Sequence, residues 1–376
     1  MTSKLSDLCA LADGRVAVAE LDMDTYISTE NMLPNKEGIT RSAGLPTANQ
    51  TQAYQVDDVL VSNIRPYFKK IWYADRYGGC SNDVLVLRAK DVCIPRFLYY
   101  LLSDDNYFDY ATATAKGTKM PRGDKGAIMR YEVPDLPIGV QIGIADTLSA
   151  LDARIAINRA INNHLEQLAH TIFKSSFVDY EPTKPFTEVV QVLGGGTPKT
   201  TKTEYWDGSI PFFTPKDTQS LYILTTEKTL TEEGLSKCNS RLYPVNTVFV
   251  TARGTVGKLA IAGVPMAMNQ SCYALVGNNG YGQHFVYHLA LETVEHLKHK
   301  ASGAVFDAIV TRDFESEMVA VPPIDAVNEF EKNVKPIYEA LLNNAKESFR
   351  LSSLRNSLLP KLMSGELTIA DSGDTK

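Results

Sequence analysis

The sequence lacks the cysteine patterns of disulfide-bonded and zinc-binding proteins. Its five cysteines form no CxxC pair and no His/Cys cluster: Cys9, Cys80, Cys93, Cys238 and Cys272. An odd, scattered set is typical of reduced thiols in the cytoplasm. No apolar run approaches the roughly 18–20 residues of a membrane span. Asp7 and Asp13 precede any long apolar stretch, so no signal peptide is expected.

The chain also lacks the excess of positive charge that marks many nucleic-acid-binding proteins. Its 376 residues carry a net charge of −6, with 44% hydrophobic and 22% charged residues. This composition is ordinary for a globular protein, and the length suits two or more domains. The whole-chain sum does not exclude DNA binding, because binding depends on local fields.

Recognisable catalytic motifs are missing as well. The stretch LGGGTPKTTK (Leu193–Lys202) fails as a phosphate-binding loop because Pro198 stands between the glycines and Lys199. The sequence has no HExxH, no GxSxG and no GxGxxG after a strand. His164 and His170 are six residues apart, which puts them on different faces of a helix. We therefore expect binding rather than catalysis, with no catalytic residue, metal or cofactor of its own.

What the sequence does contain is a long internal repeat. LEQLAHTIFKSSF (Leu165–Phe177) matches LSSLRNSLLPKLM (Leu351–Met363), and YQVDDVLVSNIR from Tyr54 matches YPVNTVFVTAR from Tyr243. FLYYLL at Phe97 likewise meets FVYHLA at Phe285. The chain is predicted to run as globular unit, helix, globular unit, helix. A duplication without functional meaning is the alternative.

Both helical segments show the period of a coiled-coil seam. Apolar residues advance by threes and fours, at Ile144, Leu148, Leu151, Ile155, Leu165 and Ile172, and again at Phe330, Val334, Ile337, Leu341, Leu351 and Leu358. Each segment of about 35 residues would span roughly 50 Å. A pseudo-twofold relation would make the helices antiparallel, with Asn158 facing Asn344 and setting the register. Two unrelated surface helices are the alternative.

The globular segments combine strands and helices. Val56–Arg65 and Val245–Gly254 have the β-branched density of strands, with DVLVLR and CYALVG as their partners. Ile94–Ala111 and Gly282–Lys298 are predicted to be helices packed on those sheets. Proline-bearing VPDLPIG and VPPID precede the long helices, and Val178–Phe186 is predicted to be a linker.

Basic residues cluster with aromatic residues in loop-like segments. The first unit has Arg65, Lys69, Lys70 and Arg76 among Tyr67, Phe68, Trp72 and Tyr73, followed by Lys116, Lys119, Arg122, Lys125 and Arg130. The second has Lys199, Lys202, Tyr205, Lys216, Arg253, Lys258 and Arg312. Such loops suit phosphate contacts and base-edge hydrogen bonds. A solvated face neutralised by nearby acids is the alternative.

Three long motifs of the second unit resemble the DNA-specificity subunit of Type I restriction–modification enzymes. They are GGGTPKTTKTEYWDGSIPFFTPKD (Gly194–Asp217), RGTVGKLAIAGVPMAMNQSCYAL (Arg253–Leu275) and LRNSLLPKLMSGEL (Leu354–Leu367). In the first unit, YISTENMLPNKEGI and KGTKMPRGDKGAIMRYEVPDLPIGVQ resemble a variant of that family's target-recognition domain. The first unit lacks the Gly-Gly-Thr-Pro…Tyr-Trp opening. The resemblance covers nearly the whole chain.

The resemblance implies an α+β fold in which two mixed α/β target-recognition domains are separated by two long helices in an antiparallel coiled coil. The expected segments are a first recognition domain (1–140), a spacer helix (141–177), a second recognition domain (178–324), a second spacer helix (325–363) and a tail (364–376). Each domain would read one half of a split, asymmetric target in double-stranded DNA. The paired helices would fix the spacing between the two half-sites. Each helix would be about 50 Å long, whereas one turn of DNA measures 34–36 Å.

The resemblance also implies partners and roles. Two modification (methyltransferase) subunits and restriction subunits would join the chain in the cytoplasm and carry S-adenosylmethionine, ATP and Mg²⁺. Base-reading or phosphate-binding side chains are expected at Arg65, Lys119, Arg122, Lys199, Lys216, Arg253, Gln270 and Arg312. Gly194–Gly196 and Tyr205–Trp206 are interpreted as structural, Trp206 above all. An unrecognised nuclease or methyltransferase, and a protein-interaction scaffold without DNA binding, remain alternatives.

Overall fold

A computed structural model describes residues 2–300 and 308–368 of the chain. The chain forms two compact units: unit 1 is Met1–Ala153 with Leu351–Lys376, and unit 2 is Arg154–Arg350. Two long helices, Ile138–Phe177 and Ile324–Ser364, contribute residues to both units. Residues 369–376 of the predicted tail lie outside the described residues.

Unit 1 is built on short strands. They are β1 (Thr2–Lys4), β2 (Cys9–Leu11), β3 (Arg15–Ala17), β4 (Tyr26–Ile27), β5 (Gln50–Tyr54), β6 (Val59–Ser62), β7 (Ile71–Tyr73), β8 (Gly78–Cys80), β9 (Val84–Ala89) and β10 (Glu132–Pro134). The strand orders are β2-β9-β6-β7, β3-β5-β8-β4 and β1-β10. Along β6, Val59 and Val61 pack with Phe97, whereas Leu60 packs on the other face with Tyr54. The strand is buried on both faces, which explains its continuous apolar run.

The helices of unit 1 differ from the prediction at one position. They are α1 (Leu5–Leu8), α2 (Pro95–Ser103), α3 (Asp105–Ala113), α4 (Lys125–Ile128) and the first part of α5 (Ile138–Phe177). The single helix predicted over Ile94–Ala111 is wrong, because the chain turns at Asp104. Asp104 has extended backbone angles and its carboxylate accepts a hydrogen bond from the Asn106 amide, which caps α3.

Unit 2 repeats this construction. Its strands are β11 (Pro182–Pro185), β12 (Val190–Gly194), β13 (Trp206–Phe213), β14 (Tyr222–Ile223), β15 (Lys228–Leu230), β16 (Val248–Thr251), β17 (Leu259–Ala262), β18 (Ala267–Met268), β19 (Cys272–Gly277) and β20 (Met318–Ala320). The order β12-β19-β16-β17-β14 repeats that of β2-β9-β6-β7 with one added strand, and β11-β20 repeats β1-β10. The predicted internal repeat is thereby confirmed. The segment expected to be a linker, Val178–Phe186, instead supplies β11.

The helices of unit 2 are α6 (Phe186–Val189), α7 (Glu232–Ser236), α8 (Gln283–Lys300), α9 (Thr311–Ser316) and α10 (Ile324–Ser364). The long helices of unit 2 share a core with the sheet of β16, whereas α7 packs on β13 and β15. Phe285 of α8 shares the main core of unit 2 with Phe173 of α5 and Phe330 of α10. The rings of Phe173 and Phe285 lie 5.7 Å apart. Each long helix begins directly after a proline, Pro137 or Pro323, as predicted.

Within unit 2 the long helices run antiparallel. Arg154 lies 3.0 Å from Glu347, and Asn162 donates to the carbonyl of Leu341 over 3.2 Å. Residues later in α5 therefore contact residues earlier in α10. The predicted fold class is confirmed. The predicted pairing of Asn158 with Asn344 is not a hydrogen bond among the described residues, because each side chain donates to another residue.

The asparagines have other partners in the helix pair. Asn158 donates to Glu347 Oε2 over 2.8 Å, and Asn344 donates to Asn162 Oδ1 over 2.9 Å. The two asparagines therefore hydrogen-bond to other residues of the helix pair rather than to each other. Whether these asparagines set the register stays a prediction.

Candidate nucleic-acid interface

In unit 1 the loop between α3 and α4 lies against the turn that follows β6. The Arg65 amide donates to the Pro121 carbonyl over 2.8 Å. Lys116 and Arg122 exchange two backbone hydrogen bonds, of 2.8 and 2.9 Å. Lys119 therefore lies in a closed loop beside Arg65, and its side chain is exposed. The structure brings together three residues predicted to contact DNA: Arg65, Lys119 and Arg122.

Arg65 itself has an unusual backbone. Its φ of 50° is in the left-handed region, which costs free energy for a residue with a side chain. In the repeat this position corresponds to Gly254, with φ of 82°. The unit 1 equivalent of Arg253 is thus Ile64, not Arg65. The Arg65 Nε is buried and has no hydrogen-bond partner in the part of unit 1 that the structure describes.

Asp83 and Asp124 hold two of the basic side chains near this loop. Arg122 lies 3.0 Å from Asp83, and Lys116 lies 2.5 Å from Asp124. The hydrogen bond from Lys116, with that from the Ala127 amide, lowers the pKa of Asp124 to about 2. Lys125 follows Asp124 at the start of α4 and is exposed.

Lys69 and Lys70 are held by groups of unit 1. The Lys69 ammonium lies 3.0 Å from Asp105, which also pairs with Lys36 at 2.6 Å. Lys70 donates to the Thr29 carbonyl over 2.6 Å, and partial burial lowers its pKa. Neither is a free cation, so DNA contact through them would require breaking these contacts.

A polar groove of about 680 Å³ adjoins Asp83 in unit 1, and none of its lining residues is among the predicted DNA contacts. Its walls carry hydroxyl and amide groups from two segments, including Ser28, Thr29, Asn31, Thr40 and Ser42. Hydroxyl and amide groups can hydrogen-bond to base edges. The density of such residues in Ser28–Asn31 is the signal that could have indicated this surface.

In unit 2 the glycine-rich loop lies on the loop that carries Gln270. Thr197 donates a hydrogen bond to the Gln270 side chain. A Cβ at Gly195 would lie 2.2 Å from the Asn269 carbonyl oxygen, so only glycine permits this approach. Trp206 Nε1 donates to the Lys199 carbonyl over 3.3 Å, and its ring packs edge-on against Phe212. These contacts agree with a structural role for Trp206, which fixes the backbone of Lys199.

Arg253 continues the same row of loops. Its amide donates to the Ser271 carbonyl over 3.2 Å, directly after Gln270. On the other side, Thr255 donates to the Pro215 carbonyl over 3.3 Å, directly before Lys216. Arg253 also forms a backbone bridge with Ala308, shortly before Arg312 on α9. The loops carrying Lys199, Gln270, Arg253, Lys216 and Arg312 are therefore adjacent.

The remaining residues of the predicted set have more local surroundings. Lys202 lies 3.1 Å from Glu204, which raises the pKa of the lysine, and Lys216 lies 3.5 Å from Glu227. The Tyr205 carbonyl accepts a hydrogen bond from the Thr231 amide, and the side chain is half-buried. Lys258 is exposed at the start of β17. That any of these residues binds DNA stays a prediction.

Residues 2–300 and 308–368 contain neither a helix suited to spanning a membrane nor a cluster of metal-ligating side chains. None of the helices there is both long enough and apolar enough to span a membrane. In the same residues, no three His, Cys, Asp or Glu side chains converge in a way that could hold a metal ion.

Comparison with known proteins gives consistent findings. The domain model described as the Type I restriction modification DNA specificity domain matches twice, over residues 1–167 and 178–347. The chain is 23% identical over 435 residues to the Type I restriction enzyme HindI specificity subunit of Haemophilus influenzae, covering 91% of this chain and 94% of the relative. It is 23% identical over 307 residues to the MjaIX specificity subunit of Methanocaldococcus jannaschii, covering 75% and 71%.

A solved structure has the same fold. The chain superposes on the crystal structure of a Type I restriction–modification S subunit from M. genitalium with a TM-score of 0.58. The two are 16% identical, and the match covers 96% of each chain. At this identity the likeness concerns the arrangement of the backbone, which agrees with the repeated α+β construction described above.

Proposed function

The chain belongs to the Type I restriction–modification DNA-specificity family, and we propose that it reads a bipartite, asymmetric target with one half-site per unit. Specificity subunits are the non-catalytic, DNA-selecting components of such systems. The observation that carries the proposal is the double occurrence of the specificity domain, together with a group of basic loops in each compact unit.

Different side chains in the two units support an asymmetric target. Unit 1 offers Arg65, Lys119 and Arg122 beside a groove rich in hydroxyl and amide groups. Unit 2 offers Arg253 and Gln270 in adjacent loops. Arginine suits the O6 and N7 edge of guanine, whereas glutamine suits the N6 and N7 edge of adenine. Unlike sets of side chains would select unlike half-sites.

The long helices would serve the complex in two ways. We propose that their length sets the number of unread base pairs between the half-sites. They also carry exposed leucines at matching positions of the repeat, Leu168 at 49% and Leu354 at 45% exposure. Exposed apolar residues that recur in both copies are suited to two copies of one partner. That partner would be the modification subunit.

Catalysis is assigned to the partner subunits. Two modification subunits would bring S-adenosylmethionine and methylate adenine, and restriction subunits would use ATP and Mg²⁺ to cut the DNA in the cytoplasm. Partner subunits that close around the duplex would add phosphate contacts, which makes the net charge of −6 compatible with DNA binding.

A methylome of cells that carry this chain with its modification subunit tests the proposal. We expect one bipartite, asymmetric motif with an unread centre. Exchanging residues 178–323 for those of another specificity subunit should change one half-site only. Adding one helical turn to both long helices should change only the unread spacing. Methylation at a continuous site, or loss of both half-sites on the exchange, would contradict the proposal.

A further inference from the structure

Each unit contains a cavity built from the same parts of the repeat. In unit 1 a cavity of about 450 Å³ lies among β1, β10, the end of α2 and the last turn of α10. In unit 2 a cavity of about 320 Å³ lies among β11, β20, the middle of α8 and the last turns of α5. The lining residues correspond in pairs: Leu101 and Leu289, Val133 and Val319, Met363 and Phe177. The repeat has therefore preserved the cavity as well as the sheets.

A carboxylate stands at the same place in both walls. Asp104 lines the unit 1 cavity and Glu292 lines the unit 2 cavity. Asp104 is only 5% exposed. One of its oxygens accepts from the Asn106 amide, while Oδ2 is buried with no hydrogen-bond partner among residues 2–300 and 308–368. An unpaired buried carboxylate oxygen is costly, and a donor from a ligand would remove that cost.

We propose that each cavity receives a lysine or arginine side chain from one copy of the modification subunit; this rests on the proposed function, which supplies that partner. The paired apolar residues in each wall, such as Leu101 and Leu289, accommodate the methylene stem of such a side chain, and the carboxylate pairs with its charged end. Because the cavity occurs once per unit, the occupant comes in two copies. A carboxylate in the wall disfavours phosphate, so the occupant is not DNA.

The surroundings of the unit 2 cavity fit a protein partner. Val178 and Met318 line it and are 76% and 46% exposed, which gives the cavity an apolar rim. Lys174 also lines this cavity, where unit 1 has Pro360. Since a lysine lines the same cavity as Glu292, the carboxylate of the unit 1 cavity is expected to contribute more to binding.

The test uses the full chain with the modification subunit of its own restriction system, and native mass spectrometry counts the bound copies. S364W and V178W place a large ring at equivalent positions of the two cavities. We expect one bound copy for each single variant and none for the double variant. V92W and L242W, at exposed positions that line neither cavity, should bind two copies.

Milder variants give a second measurement. D104N keeps the helix cap, because an amide oxygen can still accept from Asn106, but presents a donor or a neutral oxygen to the cavity. We expect the affinity for one copy to fall about tenfold, and E292Q to have a smaller effect. If a tryptophan variant fails to fold, the affinities of D104N and E292Q for the modification subunit test the proposal instead.

Two copies bound to the folded double tryptophan variant, or an unchanged affinity in D104N, would overturn the inference. So would a wild-type chain that binds no modification subunit. The methylome separates this failure from that of the proposed function. A bipartite motif together with unaffected variants refutes only the cavity assignment. If the variants bind fewer copies of the modification subunit but the system methylates no bipartite site, only the proposed reading of DNA is refuted.

Discussion

The side-chain nitrogen of Asn344 donates a hydrogen bond to the side-chain oxygen of Asn162 over 2.9 Å, which joins the two long helices inside unit 2. One turn away, Asn158 donates to Glu347 over 2.8 Å and is 1% exposed. The two sites differ in what a replacement would leave behind. Asn158 has a buried Oδ1 with no partner in the described part of the chain, whereas the Asn162 Oδ1 accepts from Asn344 and the Asn162 Nδ2 donates to the Leu341 carbonyl.

Replacing Asn158 by leucine is expected to stabilise unit 2. The change removes a buried, unpaired oxygen, and Glu347 keeps its contact with Arg154. We expect the free energy of unfolding to rise by about 1 kcal/mol, measured by urea denaturation. N163L, at an exposed neighbouring position, is the control. A lower stability of N158L would show that the bond to Glu347 outweighs the cost of the unpaired oxygen.

Replacing Asn344 should have the opposite sign. N344L leaves the Asn162 oxygen without its donor, so we expect a loss of about 0.5–1 kcal/mol. The double variant N162L/N344L removes both polar groups and should recover that loss. A double-mutant cycle by urea denaturation measures the coupling. Additive effects of the two single changes would contradict the pairing.

Lys119 is expected to contact phosphate rather than bases. It is exposed in the loop beside Arg65 and has no ion pair in the described part of unit 1. K119A should weaken binding of the assembled complex to all DNA sequences alike. It should also reduce the slope of log K against log salt by about 0.9, the value for one phosphate contact. Fluorescence anisotropy over a salt series measures both.

The control for this prediction is K335A, because Lys335 is an exposed lysine of α10 that lies 4.0 Å from Glu339 on the same helix. Its binding and salt slope should match those of the wild-type chain. A K119A variant that changes the preferred sequence while keeping the salt slope would instead place Lys119 at a base edge.

Gly195 is expected to be needed for DNA binding because it allows two recognition loops to lie against each other. An alanine Cβ there would lie 2.2 Å from the Asn269 carbonyl oxygen, so G195A should move the Lys199 loop off the Gln270 loop. We expect a loss of affinity for the target of about tenfold or more, since several of the predicted base and phosphate contacts share this loop. G194A is the matched control, because a Cβ there meets nothing within 4 Å. Equal affinities would contradict the adjacency.

His288 makes the stability of unit 2 depend on pH. Its Nε2 lies 2.9 Å from the Tyr338 hydroxyl and its Nδ1 lies 3.4 Å from His170. The surrounding titratable groups are His170 on α5, His284 and Tyr287 on α8, and Tyr338 on α10. Burial, and then the nearby histidines, lower the pKa of His288 from 6.5 to about 3.

The sign of the pH effect follows from the lowered pKa. Between pH 6.5 and 3 the unfolded chain binds a proton at His288 that the folded chain does not. Stability should therefore fall as the pH decreases below 6.5, by about 1.4 kcal/mol per pH unit for one proton. In urea denaturation between pH 7 and 5, the free energy of unfolding of H288Q should depend less steeply on pH. The slope should be smaller by the contribution of about one proton. An unchanged slope would mean that other groups account for the pH dependence.

The sequence predicted those parts of the fold that local patterns determine. The long helices follow from apolar residues at intervals of three and four, and β6 and β16 follow from runs of β-branched residues. β1 and β11 are short and mostly exposed, so they carry no apolar signal and depend on pairing with distant strands. The partners of Asn158 and Asn344 depend on how two helices pack, which no single helix encodes.

The candidate site was predicted only in part for the same reason. Lysine and arginine in loops could be found by residue type. Whether their side chains are available to contact DNA could not be predicted. Lys69 pairs with Asp105 and Arg122 pairs with Asp83, and both carboxylates come from other segments of the chain. The correspondence of Arg65 with Gly254 was established by their backbone angles, because both residues have a positive φ. The matched sequences alone place Arg65 close to Arg253.

The core of unit 1 contains Leu359, Leu362 and Met363, from the end of the second long helix. On the ribosome these residues are made after everything in unit 2. The nascent chain can thus complete residues 154–350 as a folded body while the earlier-made residues 1–153 still wait for the last segment of their core. The part of the protein that is synthesised first is the part that matures last.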